Sequence, residues 1–158
     1  GGKEVASTIK HLVDRGIPVM GHVGLLPQST TRFKLKGKNF GQRKKIFDDA
    51  IAISNAGVFA IVVECVVEDL AKDITKCVSV PTIGIGASKY CDGQILVVDD
   101  MLGLSDFSAR FVKRYSNLRR IIEKSVKKYS KDVKLRRFPS FKNVYKLRNN
   151  NLNERKFI

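Results

Sequence analysis

Residues 58–65 read VFAIVVEC, an apolar and β-branched run interrupted once, by Glu64. Preceded by Ala56–Gly57, it predicts a strand buried on both faces, as in a parallel sheet, rather than one side of a half-wet sheet. A carboxylate at the C-terminal end of such a strand is costly unless it is paired, hydrogen-bonded or used.

Working outward, the flanking segments repeat this pattern. Lys3–Arg15 predicts a helix, with Val5, Ile9, Leu12 and Val13 on one stripe and Gly16 at its stop. Ile17–Leu25 predicts a strand with Pro18 near its start, where a lost N–H is tolerated, and with Gly21 and Gly24 flanking His22 and Val23. A loop over 26–42 carries Arg32, Lys34, Lys36 and Lys38 with no acid. Lys44–Asn55 predicts a helix that turns Ile46, Ala50 and Ile53 inward, and Glu68–Cys77 another with Leu70, Ile74 and Cys77 on its stripe. Pro81–Gly86 and Gln94–Asp99 predict two further strands. Strands alternating with helices make βαβ units, and so an α/β fold with four parallel strands and outer helices. The connection from Gly86 to Gln94 is too short for an ordinary crossover helix.

Farther on, Phe107, Phe111, Tyr115, Leu118, Ile122, Val126, Tyr129 and Val133 recur at helical steps, predicting a long helix with its stripe packed and a break available at Ser116–Asn117. Phe138-Pro139-Ser140 ends the ordered part. Residues 1–137 are thus expected as a half-barrel with terminal helices, and 138–158 as a basic, partly disordered tail, frayed from Asn149.

The totals bound the function. A chain of 158 residues that is 43% hydrophobic suits a single core. No apolar run reaches membrane-spanning length. Three cysteines, an odd number without a CxxC pair, favour reduced thiols in a cytoplasmic protein. The N-terminus resembles no targeting segment and starts mid-element, as expected of a piece of a longer chain. The net charge of +15 is uneven: residues 1–100 carry +2 and residues 101–158 carry +13. Such density suits nucleic acid or another polyanion, and the plainer reading is a solvated lysine-rich face. Phe107, Phe111 and Tyr115, placed on the inward stripe, are not expected to stack bases, so nucleic acid is not the expected partner.

Sites in parallel α/β folds lie at the C-terminal ends of strands. That places His22, Glu64, Gly84–Ser88 and Asp99–Asp100 as candidates. Glu64, if buried, gains a raised pKa and suits a general base; read alone, it is equally a buried acid satisfied by a neighbour. His22 read alone is a hydrogen-bonded core histidine before it is a catalyst. The GIGAS turn offers backbone N–H groups to an anion, or is only a tight turn. His11 and His22 are too far apart for a helical metal pair, and no acids cluster with them.

Taken together, GIPVMGHVGLLPQS (16–29), DDAIAISNAGVFAIVVECV (48–66) and VPTIGIGASKYCDGQILVVDDMLGL (80–104) resemble ketopantoate hydroxymethyltransferase, also named 3-methyl-2-oxobutanoate hydroxymethyltransferase. The resemblance runs to about Leu147. It implies the C-terminal half of a TIM-type (β/α)₈ barrel and a homo-oligomer. It also implies hydroxymethyl transfer from 5,10-methylenetetrahydrofolate to the keto acid 3-methyl-2-oxobutanoate, giving 2-dehydropantoate in pantothenate biosynthesis, with bound Mg²⁺. Glu64 is implied as the proton acceptor and His22 as a contact to the keto acid. The family's metal-binding aspartates and its Lys-Leu-Glu triplet precede the position of Gly1–Gly2, so no metal ligand is expected in this chain. The expectation is a missing N-terminal half and no transferase activity alone. Val67 stands where the family usually has Pro, Ser88 replaces a Gly, and Ala109, in a shortened Leu104–Ala109 segment, stands where Pro is common. The reading from another class is a non-catalytic basic module that binds nucleic acid or another polyanion.

Overall fold

The computed structural model describes residues 1–27 and 34–146, and the chain divides into two compact units, Gly1–Tyr115 and Ser116–Ile158. The expected fraying from Asn149 lies outside the described residues.

In the first unit a 3-10 turn, Lys3–Val5, leads into α1, Ala6–Val13, which ends where Gly16 takes a φ of 79°. Strand β1 is Met20–Gly24 and β2 is Ala60–Glu64. Between them lies α2, Phe40–Asn55, four residues longer at its start than its apolar pattern predicts. Asn39 explains the extension, because its side chain accepts the Gln42 amide at 2.9 Å and caps one of the free N–H groups of the first turn. Helix α3, Glu68–Cys77, has the predicted bounds, and β3, Thr82–Ile85, follows.

The sheet runs β1-β2-β3-β4 in chain order, and every pair is parallel. Residues 86–92 join β3 to β4, Gly93–Gln94, without a helix. Asp92 fastens this short crossover: its carboxylate accepts both the Thr82 amide, at 2.8 Å, and the Thr82 hydroxyl, at 3.0 Å.

Packing is one-sided. Val23, Ile61 and Val63 enter a core built with Ile9 of α1, Ile46, Ala50 and Ile53 of α2, and Leu70, Ala71 and Ile74 of α3. Paired residues of a parallel ladder share a face, and alternate residues take opposite faces. His22 pairs with Val62 and Val62 with Ile83, so these three lie on the other face, and all three are only partly buried. Of the expected α3 stripe, Cys77 is exposed.

Two expectations fail. The run Gln94–Asp99 is not a strand beyond Gln94: the Ile95 amide still reaches the Gly84 carbonyl at 3.0 Å, after which the chain leaves the ladder. Helix α4, Val98–Leu102, then begins, and Ile95, Val97 and Val98 stay about half exposed. An apolar run expresses a preference, whereas a ladder needs a partner, and β4 has one only on its β3 side among the described residues.

The long helix predicted from Phe107 begins instead at Leu118, where Asn117 accepts the Arg120 amide at 3.2 Å. Upstream, the Arg114 guanidinium donates to the carbonyls of Ser105 and Phe107, and the Tyr115 amide to that of Met101. These bonds engage backbone groups that a helix would need for itself. Among its described residues the second unit contains α5, Leu118–Lys134, and a 3-10 turn, Phe141–Asn143. Its predicted inward stripe is not packed: Ile122, Val126, Tyr129 and Val133 are all exposed, and Tyr115 is too. The periodicity identified an amphipathic helix correctly but could not supply the surface it would cover.

Candidate functional site

The register of β1 and β2 brings His22 and Glu64 together. Glu64 pairs with Gly24 and Val62 with His22, so the imidazole and the carboxyl are neighbours on the uncovered face. Their Nε2 and Oε2 atoms are 3.1 Å apart.

Three backbone features hold the carboxyl there. Gly24 has a φ of 95°, and a Cβ on it would collide with the Glu64 carbonyl. That carbonyl accepts the Leu25 amide at 2.8 Å. Cys65, a residue with a side chain, takes a left-handed φ of 51°, a conformation disfavoured for all but glycine and a few polar residues. Its amide donates to Ile85 and its carbonyl accepts from Lys36, so the strained residue is pinned on both sides. Strain kept by surrounding bonds at a strand end is typical of functional positions.

The electrostatics keep both groups uncharged for longer than usual. Burial pushes the Glu64 carboxyl above its ordinary pKa, and Glu64 is only 7% exposed. Burial also lowers the His22 imidazole, assisted by the nearby Gly1 amine and opposed by a hydrogen bond with the Leu25 backbone. The separation alone would suit an ion pair, yet both shifts run away from that pair. No aligned hydrogen bond joins the two side chains, and His22 Nε2 is buried without a partner. The arrangement is therefore a neutral imidazole facing a carboxyl of raised basicity. Burial, and then the Glu64 charge, raise the Cys65 thiol, which disfavours its thiolate.

The other candidates separate from this pair. Gly86 lines a cleft described below, whereas Ser88 is fully buried and receives the Tyr90 amide on its hydroxyl. Asp99 and Asp100 fall in the first turn of α4, not at a strand end; Asp100 is buried and accepts the Ser105 hydroxyl. This correction follows from the early end of β4. Val67 donates its amide to Lys36 at 3.1 Å, a bond that a proline at that position could not make.

No three His, Cys, Asp or Glu side chains gather as a cation site among the described residues. The three cysteines are free, and no helix among the described residues is long and apolar enough to cross a membrane.

The linear pattern did not single out Lys34, Arg110 or Phe111 as site residues. They lie with Val66, Val67 and Gly86 around a cleft of about 540 Å³. The available signal was positional, since Lys34 follows β1, and Val66–Val67 and Gly86 follow β2 and β3.

A family profile described as ketopantoate hydroxymethyltransferase matches residues 1–141. The chain is 56% identical to the 3-methyl-2-oxobutanoate hydroxymethyltransferase of Pelagibacter ubique over 145 residues, covering 92% of this chain and 56% of that protein. The Bartonella quintana protein of the same name is 53% identical, with 94% and 55% covered. That of Clostridium beijerinckii is 49% identical, with 96% and 57% covered. The chain thus spans about half the length of the curated relatives it matches.

Proposed function

Since this chain belongs to the ketopantoate hydroxymethyltransferase family, we propose that it supplies the proton-accepting side of a hydroxymethyl transfer onto 3-methyl-2-oxobutanoate, giving 2-dehydropantoate. The observation that carries the reading is the His22–Glu64 pair, whose buried Nε2 has no partner and whose carboxyl has a raised pKa. An unsatisfied buried polar atom costs about 1–3 kcal/mol, and a substrate group placed there removes that cost.

The chemistry follows from the two side chains. Glu64, as carboxylate, takes the proton from C3 of the keto acid; burial has made it a stronger base than a solvated glutamate. His22 contacts the keto acid and orients it. The resulting carbon nucleophile forms a C–C bond to the methylene carbon of 5,10-methylenetetrahydrofolate. Over the whole transfer both C–N bonds of that carbon break, and one water supplies the hydroxyl oxygen. The two freed nitrogens take one proton from water and the one that Glu64 removed. Negative charge developing on the keto oxygen needs stabilisation, and the described residues provide no metal cluster to supply it. In this reading that stabilisation is supplied by groups outside the described residues. The uncovered sheet face carrying His22 is what a barrel interior presents when its other strands are supplied separately, either by a complementary segment or within a homo-oligomer. We place the reaction in the cytoplasm, as one step of pantothenate biosynthesis.

The test combines the chain with the remaining part of the Pelagibacter ubique relative. The chain alone is expected to form no 2-dehydropantoate. The pair is expected to form it in the presence of Mg²⁺ and the folate donor, and Glu64→Gln to lower the rate by roughly 10²–10⁴-fold. Full activity in Glu64→Gln, or transfer by the unaccompanied chain, would overturn the reading.

A further inference from the structure

One buried acid takes no part in the chemistry above. Asp49 lies on α2, is only 8% exposed, and has both carboxyl oxygens engaged. Its Oδ1 accepts the Lys3 amide at 3.0 Å, and its Oδ2 accepts the Lys45 ammonium at 2.6 Å. Gly2 precedes the 3-10 turn Lys3–Val5 and has no side chain, so the turn carries no side-chain cap of its own. Asp49 supplies that cap from α2, far away in sequence. The fit is close: a Cβ on Gly2 would come within 2.4 Å of the Asp49 Cγ and Oδ1.

Gly1 carries this contact to the site, because its nitrogen donates to the His22 carbonyl at 2.7 Å. Successive residues of a strand send their backbone N–H and C=O groups to alternate edges. Val19 bonds toward β2 through its carbonyl and Leu25 through its amide. His22 is an odd number of residues from both, so its carbonyl points to the opposite edge. There β1 has no strand neighbour among the described residues, and Gly1 takes the place of one.

We propose that Asp49 is a positioning residue for the histidine side of the site. It fastens Gly1–Gly2 along the free edge of β1, and Gly1 in turn fixes the His22 backbone, so that the imidazole stays beside Glu64. The assignment rests on the hydroxymethyl-transfer reading for what His22 does and adds what holds it in place. Strand β2 needs no such clasp, since β1 and β3 flank it. Glu64 is thus secured by an interior ladder and His22 by a clasp from α2. Lys45 holds the second carboxyl oxygen and so fixes the orientation in which Asp49 meets the Lys3 amide.

Amide hydrogen exchange and the ring signals of the two histidines, read by NMR in the full 158-residue chain, test this without any substrate. Leu25 donates its amide across β1 and β2, and Cys65 across β2 and β3. Asp49→Ala is expected to speed exchange at Leu25 about tenfold, the effect of losing one hydrogen bond to a carboxylate. Cys65 should stay within about twofold, because only the edge strand is released. The His22 ring signals should move toward those of His11, which is exposed and serves as a solvated reference in the same spectrum. Asp49→Asn keeps an oxygen for the Lys3 amide and should rescue both readings. Gly2→Ala leaves α2 intact and should reproduce Asp49→Ala by forcing the segment off the carboxyl. Equal acceleration at Leu25 and Cys65, unmoved His22 signals, or Asp49→Asn as disturbed as Asp49→Ala would each overturn the assignment. Transfer by the chain combined with the remaining part of its relative is scored separately. Its absence, with these signals as expected, counts against the function reading and leaves the positioning role standing.

Discussion

At the scale of single residues, Glu64 and His22 pull stability in opposite directions with pH. The folded-state pKa of Glu64 is raised, so its contribution is fully present below the ordinary carboxyl value and is lost as pH rises through the folded value. That of His22 is lowered, so its contribution is present above the ordinary imidazole value and is lost as pH falls towards the folded value. Glu64→Gln is accordingly expected to raise the melting temperature at neutral pH even as it removes the base. A lower melting temperature in that variant at pH 7 would show that the carboxylate is stabilised rather than strained. Gly24→Ala should do the reverse, costing more than about 2 kcal/mol in denaturant unfolding. It adds a left-handed penalty of about 1–2 kcal/mol to a collision with the Glu64 carbonyl.

At the scale of elements, two side-chain anchors are expected to matter most. Asn39→Ala should destabilise α2 by about 1 kcal/mol. Asp92→Ala should cost about 1–3 kcal/mol, because it leaves the amide of the fully buried Thr82 without its acceptor. The Asp92 carboxyl is held below its ordinary pKa, first by the Thr82 backbone bond and then by the Thr82 hydroxyl. Its contribution should therefore be present above the ordinary value and lost on acidification through the folded one, a dependence absent in the variant. These anchors also show what was legible in the sequence. VFAIVVEC and PTIGIG were read correctly as strands because both their neighbours lie within the chain. The bounds of the Glu68–Cys77 helix were read correctly, though Cys77 stays outside its buried stripe, and the placing of Glu64 beside His22 followed from strand order. Ile95–Asp99 and Phe107–Asn117 were misread because a strand needs a ladder partner, which β4 has on one side only among the described residues, and because Arg114 makes bonds nine and seven residues apart in sequence. The cleft was missed because its walls come from three loops with no common motif.

At the scale of the whole molecule, the outer strands β1 and β4 each have one neighbour among the described residues, and the sheet has one helix-covered face. Open edges invite self-association, while a net charge of +15 opposes it. The chain is expected to associate more as salt screens that charge, as measured by light scattering. Binding to single-stranded DNA should change in the opposite sense, disappearing with added salt because only phosphates are contacted. Retention of DNA at high salt would instead favour a dedicated nucleic-acid surface. The order of the strands also sets an order of opening. Interior strands usually exchange their amide hydrogens last and edges first, so β2 should outlast β1. A fraying molecule would release the imidazole from its strand while the carboxyl stayed fixed, and the site would come apart from the histidine side.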